Sequence, residues 1–567
     1  MAYGGSKSKS RSRICCKDKI LSRRYIEGLI ADGKTIIIVD SNVLKVDAWL
    51  KYHPGGEKTI LHMVGRDATD EVSVYVYLLS AIRYLSYFKN DTFMARIQMM
   101  RYRIGRVEGH WSNFLPPIQG GTFRKFTNEK EIDSEELEFS SVNYSSSEIS
   151  RSPSPIFEND GPQLRRNIMP SYKPIKPSTH SSTHPIKDSE VSMSVLDCLT
   201  KEQISLDTAK YPSLDAVTQE VVVEKYRALH NKLHEENLFD CNYGAYAIEA
   251  CRYFFLFAMM MICLQRSWYT LSGVFLGCLW HQLVFTVHDA GHMGITHNFT
   301  CDTLIGIIIA DFIGGLSLGW WKRNHNVHHV VTNSPEHDPD IEHLPFFAIS
   351  HRFFDSLKSS FYERVMSYDT FARLVIPYQA YLYYPVLTFG RFNLYFLSWD
   401  YLIRGLGPRK GPAWWHRWLE IAGQIFFWYW FGYGILYKTI PTASGRLSFV
   451  LASHMITMIL HVQITLSHFA MSTAELGPNE SFPQKMLRTT MDVDCPQWLD
   501  FFHGGLQFQV IHHLFPRMPR HNLRRTQKLV QEYCQEVGIP YALYGFVKGN
   551  KKVIARLEEV GRQAAIL

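Results

Sequence analysis

Histidines are concentrated in three short segments of this 567-residue chain, which contains 25 histidines in all. The three segments are His288-Asp-Ala-Gly-His292, His325-Asn-Val-His328-His329 and Gln509-Val-Ile-His512-His513. Residues three or four positions apart share one face of a helix, so each segment can direct its imidazoles toward one point. Their residue types and spacing therefore predict a metal centre.

Imidazole nitrogens are ligands for zinc, copper, iron and nickel. The clustered histidines outnumber the ligands that one ion takes, so two metal ions are predicted. Zinc hydrolases generally hold their ion with one to three histidines plus carboxylates, and the sequence contains no His-Glu-x-x-His motif. Oxygen activation by two irons fits better, although spacing alone does not fix the metal.

The elements that position these histidines include membrane-spanning helices. Hydrophobic residues make up 46% of the chain while the mean hydropathy is only −0.13, so the apolar residues must be concentrated in segments. Two apolar segments, 304–321 with Asp311 and 374–392 with Arg391, are doubtful spans that could be interfacial or re-entrant. Four other segments have the length and apolarity of spans: 247–264, 268–287, 419–437 and 446–468.

The order of spans and histidine segments tests this assignment. All three segments must lie on one side of the membrane to share a metal site. Two spans return the chain to its starting side before His288, and two more do so between His329 and Gln509. This parity requires that 304–321 and 374–392 do not each cross, so we predict four spans with those two segments interfacial.

Charge and cysteine usage limit the class of protein. The net charge of +7 suits an anionic cytosolic membrane face better than a nucleic acid, and no nucleic-acid partner is predicted. The ten cysteines show no metal-binding or disulfide spacing, which indicates a reducing compartment. The first 30 residues lack an apolar core, so no cleaved signal peptide is predicted.

A second motif lies near the N-terminus, in a segment with two β-branched runs separated by a polar turn. His53-Pro-Gly-Gly56, preceded by DAWLKY and followed by MVGRDATDE, resembles cytochrome b5. That resemblance implies haem b with His53 as one axial ligand and glycines that turn the chain tightly beside the porphyrin.

The sequence departs from the cytochrome b5 pattern after this motif. The family carries a second axial histidine soon after GRDATDE, but here Tyr75 is followed by Val76 and the next histidine is His110. Residues 76–90 read as an apolar insertion, and our hypothesis is that they derive from an unspliced intron or a faulty gene model. The second axial ligand is therefore not found, and haem binding is in doubt.

The boxes HDAGH, HNVHH and QVIHH resemble those of membrane fatty-acid desaturases, and the Gln that opens the third box resembles the front-end branch. The surrounding sequence is most similar to fungal delta-8 sphingolipid desaturases. The resemblance implies that His468, in the last span, joins the box histidines in holding two irons. Gln509 occupies a position where related branches have a ligating histidine, and His297 and His503 are expected to have structural or supporting roles.

The resemblance also implies the reaction. Electrons from NADH would pass through cytochrome b5 reductase and the haem to the iron centre, and oxygen would then remove hydrogen from a methylene of ceramide or glycosylceramide. Trp280, Trp320 and Trp321 could line an acyl tunnel or act as interfacial anchors. The alternatives are an acyl-lipid delta-6 or delta-5 desaturase, a hydroxylase, and a non-catalytic membrane protein.

The predicted architecture is an α-helical integral-membrane desaturase fold with four transmembrane helices, a cytosolic helical cap and an N-terminal α+β cytochrome b5-like domain. It is expected in the endoplasmic reticulum membrane with its N-terminus and histidine boxes in the cytosol. Five regions are predicted: a basic tail (1–23), the cytochrome b5-like domain (24–110), a disordered Ser/Pro-rich linker (111–195), the membrane desaturase domain (196–545) and a C-terminal tail (546–567).

Overall fold

The structure, a computed structural model, describes residues 19–75, 99–114 and 195–566. The predicted apolar insertion, nearly all of the predicted linker and most of the predicted basic tail lie outside these residues. The first residues assigned to the linker pack with the N-terminal domain. Trp111 is buried there and donates its Nε1–H to the carbonyl oxygen of Gly65 at 3.0 Å.

The N-terminal domain is built on a three-stranded antiparallel sheet of order β1-β2-β3. Asp40 and Ser41 join the first two strands with φ angles of +49° and +60°. Positive φ at both central residues is required by the common two-residue hairpin turn, so the two β-branched runs form a hairpin. The elements are α1 (Arg23–Ala31), β1 (Ile36–Val39), β2 (Asn42–Lys45), a 3₁₀ turn (Leu50–Tyr52), α2 (Glu57–Leu61), α3 (Thr69–Tyr75) and β3 (Arg103–Arg106).

The strand β1 is buried on both faces. Because successive side chains of a strand point to opposite faces, its residues enter two apolar clusters. Ile36 and Ile38 pack with Ile26 of α1. Ile37 and Val39 belong to a cluster that also contains valines from the C-terminal part of the chain. The sheet therefore contributes to a surface that the two parts of the molecule share.

The residues from 195 onward form a helical domain. Its first half contains α4 (Val195–Lys210), α5 (Ala216–Glu235), α6 (Tyr243–Gln265), α7 (Tyr269–Gly291), α8 (Phe299–Ile307, continued as a π-helix to Ile313), α9 (Leu318–Val331), α10 (Thr370–Val375), α11 (Gln379–Thr388) and α12 (Gly390–Arg404). Its second half contains α13 (His416–Phe427, continued as a π-helix to Thr439), α14 (Ala443–Met455), α15 (Met458–Leu466), α16 (Phe482–Thr489), β4 (Asp492–Asp494), α17 (Asp500–His503), α18 (Gln509–Leu514), α19 (Arg520–Val537), β5 (Leu543–Gly545) and α20 (Phe546–Ile566). Short 3₁₀ turns connect several of them: His351–Asp355, Ile376–Tyr378, Gly411–Ala413, Gln497–Leu499 and Leu506–Phe508.

Three of the described helices are long and apolar enough to cross a membrane: Tyr243–Gln265, Tyr269–Gly291 and Ala443–Leu466. The last of these combines α14 and α15. Together they contain most or all of three predicted spans. Phe254 and Phe255 on α6 are 72% and 59% exposed, as expected of side chains that face lipid rather than protein.

The fourth predicted span, 419–437, lies in a continuous helix from His416 to Thr439. This helix is long enough to cross, but it is less apolar than the other three and is not among them. Six of its 24 residues are Trp or Tyr, which are more polar than the Leu, Ile and Val of an ordinary span. The described residues therefore contain three clear spans rather than four.

The doubtful segment 304–321 forms a bent pair, in which α8 with its π-helical extension meets α9 at 119°. The bend is held from inside the domain. Arg391 donates from Nη2 to the carbonyl oxygen of Gly314 at 2.5 Å, and its guanidinium carbon lies 3.9 Å from the centre of the Trp280 ring. The other doubtful segment, 374–392, is divided among several short helices.

The region expected to be a C-terminal tail forms the helix α20. Its residues Val553, Leu557 and Val560 are fully buried in the apolar core of the helical domain. The side chain of Gln379 donates to the carbonyl oxygen of Leu557 at 2.9 Å. The alternation of apolar and charged residues along this segment has a helical period, which the division of the sequence into regions overlooked.

Candidate metal centre

The eight histidines predicted as metal ligands come together from four separate elements. The long helix α7 and the span formed by α14 and α15 supply histidines at their ends, α9 supplies three from one face, and α18 supplies two. They are His288 and His292 at the end of α7, His325, His328 and His329 in α9, His468 just after α15, and His512 and His513 in α18.

Two groups of these side chains could each hold a metal ion. In each group the ligand nitrogens lie within 4.8 Å of one another. The first group consists of His288, His292, His325 and His512, and the second of His328, His468 and His513. His329 lies beside both groups, since its ring centre is 4.7 Å from that of His512 and 4.2 Å from that of His513.

Several ring nitrogens in these groups are buried without a hydrogen-bond partner. They are Nε2 of His292, Nδ1 of His468 and Nε2 of His513. A buried polar atom that lacks a partner is costly, so such atoms usually have a function. A cluster of imidazoles with free ring nitrogens is suited to a transition-metal ion.

Carboxylates that the sequence analysis missed orient the histidines of α9. Nδ1 of His328 donates to Oδ2 of Asp338 at 2.8 Å, which leaves Nε2 of His328 as the free nitrogen. The backbone N–H of Asn333 donates to the same oxygen at 2.7 Å. Asp340 lies 3.4 Å from Nδ1 of His325. These carboxylates could have been found from the His-Asp-Pro-Asp sequence at 337–340, which follows soon after the second box.

The first box is held by an ionic network that reaches to α19. The guanidinium of Arg520 pairs with both Asp289 and Glu249, and the hydroxyl of Tyr246 donates to Asp289. Burial alone would lower the pKa of Arg520, but its acidic neighbours raise the pKa above the usual value. His521 adds a contact of 3.0 Å with Glu249. This network fixes the end of α7, where the first two histidines lie.

The third box depends on a buried carboxylate in β4. Oδ1 of Asp492 accepts the backbone N–H of Val510 at 2.8 Å, near the start of α18. Oδ2 of Asp492 accepts from Gln527 at 3.1 Å and from the hydroxyl of Tyr541. Burial raises the pKa of Asp492 to about 7. Gln509, which opens the box, lies close enough to influence the imidazole of His468 and is therefore beside the second histidine group.

The helix α9 uses two opposite faces. His325, His328 and His329 lie on one face, and the valines at 327, 330 and 331 repeat the same spacing two positions later, about 200° around the helix axis. All three valines are buried in a cluster with N-terminal residues such as Trp49 and Met63. The N-terminal domain therefore packs against the back of the helix that carries the second box.

His53 does not join the histidine groups. Its Nδ1 donates to the carbonyl oxygen of Gly56 at 2.7 Å, and its ring centre lies 4.8 Å from that of Trp49. The same loop contacts α9, because a Cβ added to Gly55 would lie 3.2 Å from the amide nitrogen of Asn326. The motif predicted to bind haem thus lies at the surface between the two domains.

The remaining predicted residues have different surroundings. Nε2 of His297 contacts the carbonyl oxygen of Phe239 at 2.8 Å, and Nδ1 of His503 contacts the side chain of Gln463 at 3.2 Å. Trp321 stacks on the ring of His325 with ring centres 4.6 Å apart. Trp280 lies at the bend before α9, and Trp320 is half-buried near the start of α9.

Comparisons with known proteins agree on the family. The family model described as fatty acid desaturase matches residues 266–545, and the cytochrome b5-like heme/steroid binding domain matches residues 26–108. The delta 8-(E)-sphingolipid desaturase of Emericella nidulans is 60% identical over 97% of this chain and 96% of its own length. The enzyme of the same name from Candida albicans is 46% identical over 97% of both chains.

A more distant relative covers less of the chain. The acyl-lipid (9-3)-desaturase of Borago officinalis is 36% identical over 60% of this chain and 76% of its own length. The fungal relatives extend over both the N-terminal and the helical domain, as the two matching family models do. This chain belongs to the fatty acid desaturase family and carries a cytochrome b5-like domain in its N-terminal part.

Proposed function

We propose that the protein is a membrane-bound, oxygen-dependent desaturase that introduces an (E) double bond at the delta-8 position of a sphingolipid long-chain base. The structural observation that supports this chemistry is the convergence of seven histidines in two groups of ligand nitrogens, with His329 beside both. The proposed substrate class is supported by the name that relatives spanning nearly the whole chain share. Ceramide and glycosylceramide are the proposed lipid substrates.

The residues of both groups fit two iron ions. Unpartnered, buried ring nitrogens in each group are free to bind a metal, and Asp338 fixes which nitrogen of His328 remains free. We propose His288, His292, His325 and His512 for one iron, and His328, His468 and His513 for the other, with His329 between them. Gln509 is proposed to support His468 rather than to bind iron.

When bound, two irons supply the reduction of oxygen and the removal of two hydrogens from unactivated methylenes. The protein orients the ligands and excludes water. The Asp338 carboxylate holds the Nδ1 proton of His328, and the Arg520 network holds the first box in place. The indole of Trp321 contacts the rings of His288, His292 and His325 and shields this side of the site from solvent.

We propose that the helix from His416 to Thr439 is a fourth span and that α8 and α9 form a re-entrant pair. Ile425 and Tyr429 on this helix are 61% and 63% exposed, which is favourable if they face lipid and its headgroup interface. Four crossings keep all three boxes on one side. The basic charge of the chain favours the cytosolic face of the endoplasmic reticulum for that side.

The described residues fit one half of a bis-imidazole haem site. His53 keeps Nε2 available because Nδ1 is bonded to Gly56. The other buried histidine of the domain, His62, has both nitrogens engaged, by Lys58 and Ser360. We propose that reducing equivalents come from NADH through cytochrome b5 reductase.

Mass spectrometry of the purified protein tests the insertion hypothesis, which fails if residues 76–90 are present in the mature chain.

The proposed reaction is tested by expressing the chain in a yeast that lacks sphingolipid desaturation. Sphingoid bases and fatty acids are analysed by mass spectrometry, with His328→Ala as the inactive control. We expect a new delta-8-unsaturated long-chain base that is absent from the control. Unsaturation in acyl chains alone would assign the chain to the acyl-lipid branch, which the relative from Borago officinalis makes the second candidate. If no unsaturated product forms even in a strain supplied with free cytochrome b5, both the sphingolipid and the acyl-lipid desaturase assignments are contradicted.

A further inference from the structure

A serine hydroxyl joins the cytochrome b5-like domain to the helical domain. Oγ of Ser360 lies 2.8 Å from Nε2 of His62 in the first domain and 2.8 Å from Nδ1 of His337 in the second. His62 is fully buried and His337 is only 5% exposed. The backbone N–H of Ser360 donates to the carbonyl oxygen of Glu336 at 2.9 Å, which holds the hydroxyl beside His337.

The positions of the protons in this bridge follow from its end. Nδ1 of His62 lies 2.8 Å from the carbonyl oxygen of Lys58, so Nδ1 carries a proton. Burial and then the neighbouring His337 lower the pKa of His62 to about 3, so the ring is neutral and Nε2 is an acceptor. The Ser360 hydroxyl therefore donates to His62 and accepts the Nδ1–H of His337. Burial lowers the pKa of His337 as well, so both rings are neutral and each donor in the bridge is matched to an acceptor without net charge.

The ionic contacts between the domains are more exposed than this bridge. Lys58 pairs with Glu363, whose side chain is 68% exposed. Arg227 pairs with Asp70 at 2.7 Å, and the Arg227 side chain is 51% exposed. Each pair has one exposed and one largely buried partner, since the side chain of Lys58 is 6% exposed and that of Asp70 is 11% exposed. Solvent and salt therefore reach one side of each pair and weaken its attraction. The valine face of α9, defined by Val327, Val330 and Val331, excludes water, but apolar contact has no preferred direction.

We propose that Ser360 is a positioning residue that seats the cytochrome b5-like domain on the valine face of α9 in one orientation, through its paired hydrogen bonds with His62 and His337. The two hydrogen bonds of Ser360 fix the orientation of the domain, which the valine contacts and the partly exposed ion pairs do not fix. The bridge ends at His337, next to the Asp338 carboxylate that orients His328. The hydrogen bonds that orient the domain are thus next to a carboxylate that orients a histidine of the metal centre. This role of Ser360 is separate from the proposed reaction.

Hydrogen–deuterium exchange of the full chain in lipid nanodiscs tests the seat. Ser360→Ala leaves a buried acceptor on His62 and a buried donor on His337 without partners. We expect amide exchange in 57–64 and in 334–338 to become about tenfold faster. Ser360→Thr keeps the hydroxyl and should restore exchange to within about twofold of the unmodified chain.

A matched control is available one residue away. Ser359 is fully buried, and its Oγ accepts the backbone N–H of Tyr362 at 3.0 Å within the helical domain. Ser359→Ala should therefore change exchange near 359–363 and leave 57–64 unchanged. Equal acceleration of 57–64 in both alanine variants, or no acceleration in Ser360→Ala, would overturn the proposal. Neither measurement requires turnover, so failure of the proposed reaction is distinguishable.

A measurement on the unmodified chain covers the case in which Ser360→Ala does not fold. Raising salt from about 0.1 M to about 1 M shortens the screening length from about 10 Å to about 3 Å. A neutral bridge predicts less than a twofold change in the exchange of 57–64. Acceleration of about tenfold would show instead that the ion pairs of Lys58 and Arg227 seat the domain.

Discussion

The two faces of α9 have the same spacing and opposite uses. One face carries histidines at 325, 328 and 329, and the other carries valines at 327, 330 and 331. The histidine face meets imidazoles from three other elements, whereas the valine face meets the apolar cluster of the cytochrome b5-like domain. Spacing alone therefore identifies a face of a helix, and the residue type decides what that face does.

The two faces should also respond differently to substitution. Each side chain on the histidine face acts through the direction of one nitrogen atom, which a neighbouring residue cannot replace. Each side chain on the valine face acts through buried area, which is shared among many contacts. Changes on the first face should abolish a function, and changes on the second should only reduce stability.

The largest effect is expected for His329→Ala. His329 lies beside both histidine groups, so its removal should weaken the binding of both irons. We expect product formation to fall more than about a hundredfold, beyond the range seen when only a supporting residue of a metal site is changed. Iron per chain, measured by plasma mass spectrometry on purified protein, should fall well below two.

Val330→Ala is the matched control for that variant, because it is the next residue and lies on the opposite face. It should retain the iron content of the unmodified chain. If both variants lose iron equally, the distinction between the two faces is wrong.

A smaller effect is expected for Asp338→Asn. Oδ2 of Asp338 accepts hydrogen bonds from both His328 and Asn333. In Asp338→Asn, an amide NH2 at that position would face these two donors and accept from neither. If the amide oxygen lay there instead, it would be a weaker acceptor than the carboxylate. Partners of this kind typically change metal affinity by about tenfold to a hundredfold. A competitive chelator titration measures the affinity. Asp340→Asn should have less effect, since its contact with His325 is 3.4 Å long, and equal effects would contradict the assigned role of Asp338.

The third box allows a test by pH. The folded-state pKa of Asp492 is about 7 against a usual value of 3.8, so the folded state binds this proton more tightly than the unfolded state. Its contribution to stability is present at low pH and is lost as the pH rises toward 7. We expect the stability of the unmodified chain relative to Asp492→Asn to fall by about 2 kcal/mol between about pH 5 and pH 7. Thermal unfolding across this range measures the change, and a difference that rises with pH would contradict it.

The convergence of the box histidines could be predicted because each box is local. Pairs at spacings of three or four residues, such as His288 and His292, are brought onto one face by any helix, whatever the rest of the fold. The supports of the boxes could not be predicted in this way. Asp492 and Arg520 reach α18 and α7 across the fold, and no periodic pattern connects them.

The fold shows the same division. The spans around α6 and α7 are apolar enough to be predicted from composition, and they were found. The helix from His416 to Thr439 is rich in aromatic residues, so its composition leaves its relation to the membrane open. The ordered helix α20 was overlooked because its apolar residues are spaced among charges and become informative only when their packing partners are known.

The smallest effect is expected for Val330→Ala itself, and it defines the valine face most directly. Val330 is 1% exposed, so the substitution removes two methyl groups from a packed cluster and should lower the free energy of unfolding by about 1.5 kcal/mol, at roughly 0.8 kcal/mol for each methyl group. Because the cluster includes residues of both domains, the loss should also appear as faster hydrogen exchange in the cytochrome b5-like domain, with no change in iron content. Val330→Ile, which keeps both γ-carbons and adds one methyl carbon, is the control. Unchanged exchange in that domain for Val330→Ala would mean that the two domains do not stabilise each other through this face.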